Sequence, residues 1–146
     1  MALPKRTLTK SGFEMQYGIN HLGHFYLTHL LWGKLQKSDF FRVINVSSLA
    51  HKKLSGFFGT PTLDFTDMNF DKNKYSSLLA YSRSKMYNNL FTHALAEKIP
   101  KHKGLTASLH PGVVRTELTR YMIDGWKQKA FQLVTPIYSI FTKSPK

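Results

Sequence analysis

The chain contains no cysteine. A disulfide framework, a thiolate nucleophile and a cysteine-based metal site are thereby excluded, and the redox compartment stays open. Acidic residues are scarce: 8 Asp and Glu stand against 21 Lys and Arg, for a formal net charge of +13. Even so, no block of five or six like charges exists. The lysines are scattered, as Lys52-Lys53, Lys98 with Lys101 and Lys103, Lys127 with Lys129, and Lys143 with Lys146. Solvated faces account for them, with attraction to anionic cofactors or surfaces as an addition. A basic face with a nucleic-acid reading motif is missing, so nucleic acid is not the expected partner. No stretch reaches the roughly 18 apolar residues of a membrane span. Met1 is followed by Ala-Leu-Pro-Lys-Arg without an apolar signal core, which leaves secretion unsupported.

What is present is an ordinary globular composition, 42% hydrophobic and 14% aromatic over 146 residues. That length suits one domain. Residues 1–10 read as an arm. Ser11-Gly12-Phe13-Glu14 fits a capping box, followed by apolar residues at helical spacing from Phe13 to about Leu35. Gly18 and Gly23 are unusual inside a helix, and they predict either close packing or a local distortion. Phe40 to Ser47 is short, β-branched and aromatic, as in a buried strand. Residues 49–74 read as a long loop. A second helix is expected from about Ser76 to Lys98, ended by Pro100. A second strand follows over Leu105–His110, then a helix from Glu117 to about Phe131 and an apolar tail over 131–146, read as a lid or a membrane-surface segment. Strands alternating with helices predict a parallel α/β sheet. Two strands alone bury their faces poorly, so the chain looks like part of a larger fold.

The chemistry centres on Tyr81-Ser82-Arg83-Ser84-Lys85. A tyrosine four residues before a lysine puts both side chains on one helix face. A free phenol titrates near pH ~10, and a neighbouring ammonium lowers that value and makes the phenol a usable acid and base. Taken alone, such a pair is common on amphipathic helices. Ser47-Ser48 end the first strand, where parallel folds keep their sites. Asn20 lies between Gly18 and Gly23, and His110-Pro111-Gly112-Val113-Val114-Arg115-Thr116 follows the second strand. His21, His24 and His29 lack the spacing and the carboxylate of a metal helix, so no metal is expected. His110 is expected to be packed and hydrogen-bonded. Phe91, Leu95 and Ile99 form a row for core or partner.

Five motifs in this order resemble the short-chain dehydrogenase/reductase family, in its retinol dehydrogenase-like branch. They are Gly12-Phe13-Glu14-Met15-Gln16, Asn20-His21-Leu22-Gly23-His24-Phe25, Val43 to His51, Tyr81 to Lys85, and His110-Pro111-Gly112. The resemblance covers about residues 11–135. It implies a doubly wound Rossmann-type parallel sheet, of which the central, catalytic portion is present. Catalysis would rest on Asn20, Ser48, Tyr81 and Lys85, with Tyr81 as the general acid/base and Lys85 as its pKa-lowering partner. Ser48 would polarise the substrate oxygen, Ser47 being the less favoured choice. Asn20 would hold the water that links Lys85 to solvent. Asn20, Tyr81, Lys85, Pro111, Gly112, Val114 and Thr116 would bind the cofactor, NADP or NAD. The implied reaction is hydride exchange with a lipophilic, retinal-like carbonyl/alcohol pair. The family further implies a homodimer through the two long helices and an intracellular location, at the endoplasmic-reticulum membrane for many members.

Two departures stand out. The family's Gly-x-x-x-Gly-x-Gly turn has no counterpart, because no three of the nine glycines have that spacing. The chain also stops before the family's last strand and helices. It therefore looks like a fragment, and an alternative reading is a non-catalytic, truncated chain that pairs with a full-length reductase.

Overall fold

The computed structural model describes residues 3–52 and 61–112. The expected helix from Glu117, the tail over 131–146, and Val114 and Thr116 lie outside the described residues. Strand β1 (Phe41–Val46) and strand β2 (Gly104–Leu109) pair in parallel, from Phe41 opposite Gly104 to Val46 opposite Leu109. Glycine opens β2 for a steric reason: a Cβ there would lie 2.6 Å from the Phe41 carbonyl oxygen. Between the strands runs helix α3 (Ser77–Lys98), capped by the Ser76 hydroxyl, which accepts from Leu79 N. The order is thus strand, crossover helix, parallel strand, an α/β unit.

The first helical segment is built in three pieces: α1 (Met15–Tyr17), a π-helical turn (Gly18–Leu22) and α2 (Gly23–Lys37). The two glycines flank the distortion they led us to expect. Gly18 is also a close-packing position, since a Cβ would meet Thr9 Cγ2 at 2.8 Å. The capping box is not formed as expected. Gly12 adopts φ +81°, and Thr9 N donates to Phe13 O (2.8 Å) while Met15 N donates to Thr7 O (2.9 Å). These bonds fold residues 7–15 into a tight turn with Ser11 near its tip. Glu14 becomes the N-cap instead, accepting from Gln16 N (3.0 Å) and Tyr17 N (2.8 Å).

Phe41, Leu95 and Ile99 form a small core, flanked by Trp32, Leu35, Val43 and Phe91. The strands are covered on one face only: Phe41 and Asn45 are buried while Ile44 and Val46 are exposed, which corrects the expectation of a fully buried strand. In front of α3 the chain is tied down by polar groups. Asp67 accepts from the N–H groups of Asp71 (2.6 Å), Lys72 (3.1 Å) and Asn73 (2.9 Å) and from Asn73 Nδ2 (2.9 Å). Burial pushes its carboxyl up, but the bonds from Lys72, Asn73 and Asp71 outweigh that and hold it at about 2. Phe70 sits at φ +55° with its ring buried, and the Arg83 guanidinium lies 4.8 Å above the ring centroid. Arg6 pairs with Asp71 and donates to Asn69 O (2.7 Å), which anchors the N-terminal arm.

Candidate active site

Helical spacing brings Tyr81 and Lys85 together on α3, as expected. Lys85 Nζ lies 5.8 Å from the centroid of the Tyr81 ring, and it donates to Val46 O (3.1 Å) at the carboxyl end of β1. Burial pushes the Lys85 ammonium below its ordinary pKa. The same loss of water strengthens the field of the charged ammonium at the phenol beside it. An ammonium carries three N–H donors. Among the described residues Val46 takes one, which leaves two for a ligand hydroxyl or a water.

The two serines at the end of β1 have different duties. Ser47 is buried and its hydroxyl donates to Lys85 O (2.9 Å), pinning strand to helix. Ser48 is half-buried, and its Oγ accepts from Ala50 N (3.3 Å) as cap of a short 3-10 turn, Leu49–His51. His51 Nδ1 also contacts Ser48 O. Among the described residues Ser48 Oγ acts only as an acceptor, which leaves its O–H for a substrate oxygen. The Ser47 proton is already spent on the helix.

The π-turn delivers Asn20 to the same place. Its Nδ2 donates to Ser84 Oγ (3.0 Å), and Ser84 Oγ donates to Tyr81 O (2.7 Å). The side chain of Asn20 is thus engaged with α3, and its backbone carbonyl accepts from Asn88 Nδ2 (3.0 Å). A carbonyl oxygen has a second lone pair, which can still take a water. Asn88 and Ser84 were not singled out from the sequence. Both are almost fully buried, and both hold site residues in register. A signal existed: Ser84, Asn88 and Thr92 form a polar row at four-residue spacing along α3.

Pro111 and Gly112 follow the end of β2 and are exposed, with Gly112 at φ +86° and no atom within 4 Å of where a Cβ would stand. Their contact with the Tyr81–Lys85 pair is not part of the described geometry. His110, expected to be packed, is exposed, because it lies beyond the last paired residue of β2. His21 is engaged with Asn88 and stacks on Tyr17 at a centroid separation of 5.9 Å. Among the described residues no group of three or more His, Asp or Glu could hold a metal ion. No helix among them is long and apolar enough to cross a membrane.

No protein-family model matches the chain. Individual proteins do. Human retinol dehydrogenase 13 is 44% identical over 140 residues, 94% of this chain and 40% of that protein. Mouse retinol dehydrogenase 11 is 41% identical over 139 residues, again 94% of this chain and 39% of the relative. The chain therefore spans about two fifths of the length of these relatives. Among solved structures, an uncharacterised protein from Mycobacterium paratuberculosis superposes with a TM-score of 0.64 at 36% identity, covering 90% of this chain and 46% of that one. With a βαβ unit, a Tyr81–Lys85 pair at its strand ends and this degree of identity, the chain belongs to the short-chain dehydrogenase/reductase family, in its retinol dehydrogenase-like branch.

Proposed function

We propose that the chain carries the catalytic portion of an NAD(P)-dependent oxidoreductase that interconverts a lipophilic, retinal-like carbonyl and its alcohol. The observation that carries this reading is the half-buried Lys85 ammonium beside the Tyr81 ring at the carboxyl end of β1. The names of the relatives, all retinol dehydrogenases, support the substrate class. The donor set fits the nicotinamide half of the cofactor: an ammonium with two uncommitted N–H groups and a phenol suit ribose hydroxyls. Bound there, the nicotinamide supplies or accepts the hydride.

The protein's own part is proton management and orientation. During reduction the Tyr81 phenol gives its proton to the carbonyl oxygen, and during oxidation the phenolate takes it from the alcohol. Lys85 stabilises the phenolate by charge. The Ser48 hydroxyl donates to the same substrate oxygen and fixes its direction, so that charge developing there meets a prearranged dipole. Asn20 contributes its backbone carbonyl as the anchor for a water that returns a proton to Lys85. Pro111, Gly112, Val114 and Thr116 are assigned to the nicotinamide side of the same proposal.

The test is a fluorescence titration of the full chain with NADPH and NADH, with circular dichroism on the same sample, then retinal reduction. Saturable binding and turnover are expected. Tyr81→Phe should lower kcat by about 10²–10⁴-fold while the melting temperature stays where it was. Folded protein that binds neither nucleotide, or a Tyr81→Phe variant as active as wild type, would overturn the reading.

A second reading has one observation in its favour. Helix α2 buries none of its residues, and Tyr26, Leu27 and Leu30 are each more than half exposed. A patch of that kind fits a subunit contact, in which this chain pairs with a full-length reductase through its long helices. Sedimentation of the chain with and without such a reductase decides it.

A further inference from the structure

One amide joins the three pieces of the site. Asn88 is 1% exposed, and nothing about its surroundings calls for an asparagine as filler. Its Nδ2 donates to Asn20 O (3.0 Å) in the π-turn and to Val46 O (3.1 Å) at the end of β1. Its Oδ1 faces His21 Nδ1 at 3.1 Å. Val46 O is the same atom that accepts from Lys85 Nζ (3.1 Å). Two donors therefore share one carbonyl, and a carbonyl has two lone pairs. Each donor confines the other to its half of the oxygen.

The donor pattern also fixes the orientation of the amide. Two carbonyls can be served only by the NH₂ end, so the oxygen must face the imidazole. His21 Nδ1 is then the N–H donor, and the ring is held in its Nδ1–H form. That ring is packed against Tyr17, Tyr87 and Phe91, with centroids 5.4–6.3 Å away. The amide cannot flip without turning its oxygen onto the Asn20 and Val46 carbonyls, which takes away the donor each receives from it.

We infer that Asn88 is a positioning residue: it aims the Asn20 carbonyl and the Lys85 ammonium at one another's neighbourhood by clamping both to the end of β1. It touches neither substrate nor cofactor and acts through Lys85 and Asn20. The inference rests on the oxidoreductase reading for its effect on turnover, though not for its effect on Lys85 and His21. The titratable groups around the clamp are Lys85, with Tyr81 beside it, and Tyr87 on α3, His21 in the π-turn, Tyr17 on α1 and, beyond His21, His24.

The test compares Asn88→Ala and Asn88→Asp with Thr92→Val in the full chain. Thr92 lies one turn further along the same helix, where it accepts from Asn45 Nδ2 (2.9 Å) and donates to the backbone carbonyl of Asn88 (2.8 Å), so its replacement removes buried bonds while leaving every bond of the Asn88 side chain in place. Asn88→Ala is expected to lower kcat by about 10- to 100-fold with KM changed less than about threefold, and to displace the pH profile. In carbon and nitrogen NMR the Lys85 pKa should rise, because water enters, and His21 should lose its Nδ1–H preference. Asn88→Asp, which cannot donate as a carboxylate, should lower kcat and raise the Lys85 pKa likewise, while His21 keeps its Nδ1–H because a carboxylate oxygen still accepts from it. Thr92→Val should lower the melting temperature while leaving kcat, the pH profile and both NMR signatures as in wild type. The inference is overturned if the Asn88 variants differ from wild type in stability alone, as Thr92→Val does. Should neither Asn88 variant fold, His21 in wild type decides, and an Nε2–H ring sinks the clamp. A wild type without turnover but with the NMR responses would remove the oxidoreductase reading and keep the clamp.

Discussion

Helices α2 and α3 differ sharply in what they bury. Helix α2 is rich in leucine and aromatics, and none of its fifteen residues is buried. Helix α3 buries eight, of which Ser82, Arg83, Ser84, Asn88 and Thr92 are polar. Hydrophobicity alone would rank them the other way. What decides is the availability of partners. Ser84, Asn88, Thr92 and the Arg83 Nε of α3 meet complementary groups from the π-turn, from β1 and from residue 62. An inward polar face of this kind costs more in desolvation than an apolar one, and it specifies a single arrangement. The helix to which the chemistry is assigned in the proposal is thus the one whose register is fixed by hydrogen bonds as well as by the apolar packing of Leu95 and Phe91.

The sharpest way to break this contrast is Ser84→Ala. The change leaves Asn20 Nδ2 without its acceptor at a fully buried position, and it should lower stability by about 1–3 kcal/mol in urea melts. The Tyr81–Lys85 pair should persist, so loss of stability should exceed loss of cofactor affinity. On the other helix the sign reverses. Gly33 has nothing within 4 Å of the place a Cβ would take, and Gly33→Ala should stabilise by about 1 kcal/mol, read from the same melts. The smallest effect is set by acid. The Asp67 carboxyl is held at about 2 against an ordinary 3.8, so its support is complete above the ordinary value and fades as pH falls toward 2. The aromatic NMR signals of Phe70 and Tyr75 should broaden over that interval, and Asp67→Asn should flatten the response.

Much of the outline was legible. Both strands and the helix Ser77–Lys98 lie within a residue or so of where short β-branched runs and Pro100 put them. The Tyr81–Lys85 pair follows from spacing alone, and Gly18 with Gly23 announced a distortion, though not its π-turn form. Less legible were the parts that depend on distant partners. Glu14 looked like the reciprocal half of a capping box because the turn at Gly12 is a consequence of Thr7 and Thr9 bonding across it. Asn88 and Ser84 were not singled out, since their partners in the π-turn are 64–68 positions away. Alternating β1 residues looked uniformly buried because one-sided cover is a property of the layer, not of the strand.

The π-turn makes the site a matter of counting. Over Gly18–Leu22 the bond from Gly23 N to Gly18 O spans five residues, one more than the four of an α-helix. Substitution within it changes chemistry but keeps the phase of everything downstream. Removing one residue would let the segment close as an ordinary i→i+4 turn, and Asn20 would lose the offset that brings its side chain to Ser84 and its carbonyl to Asn88. The arrangement of this site is thus written partly in chain length, where a deletion of three nucleotides would do what no exchange of side chains can.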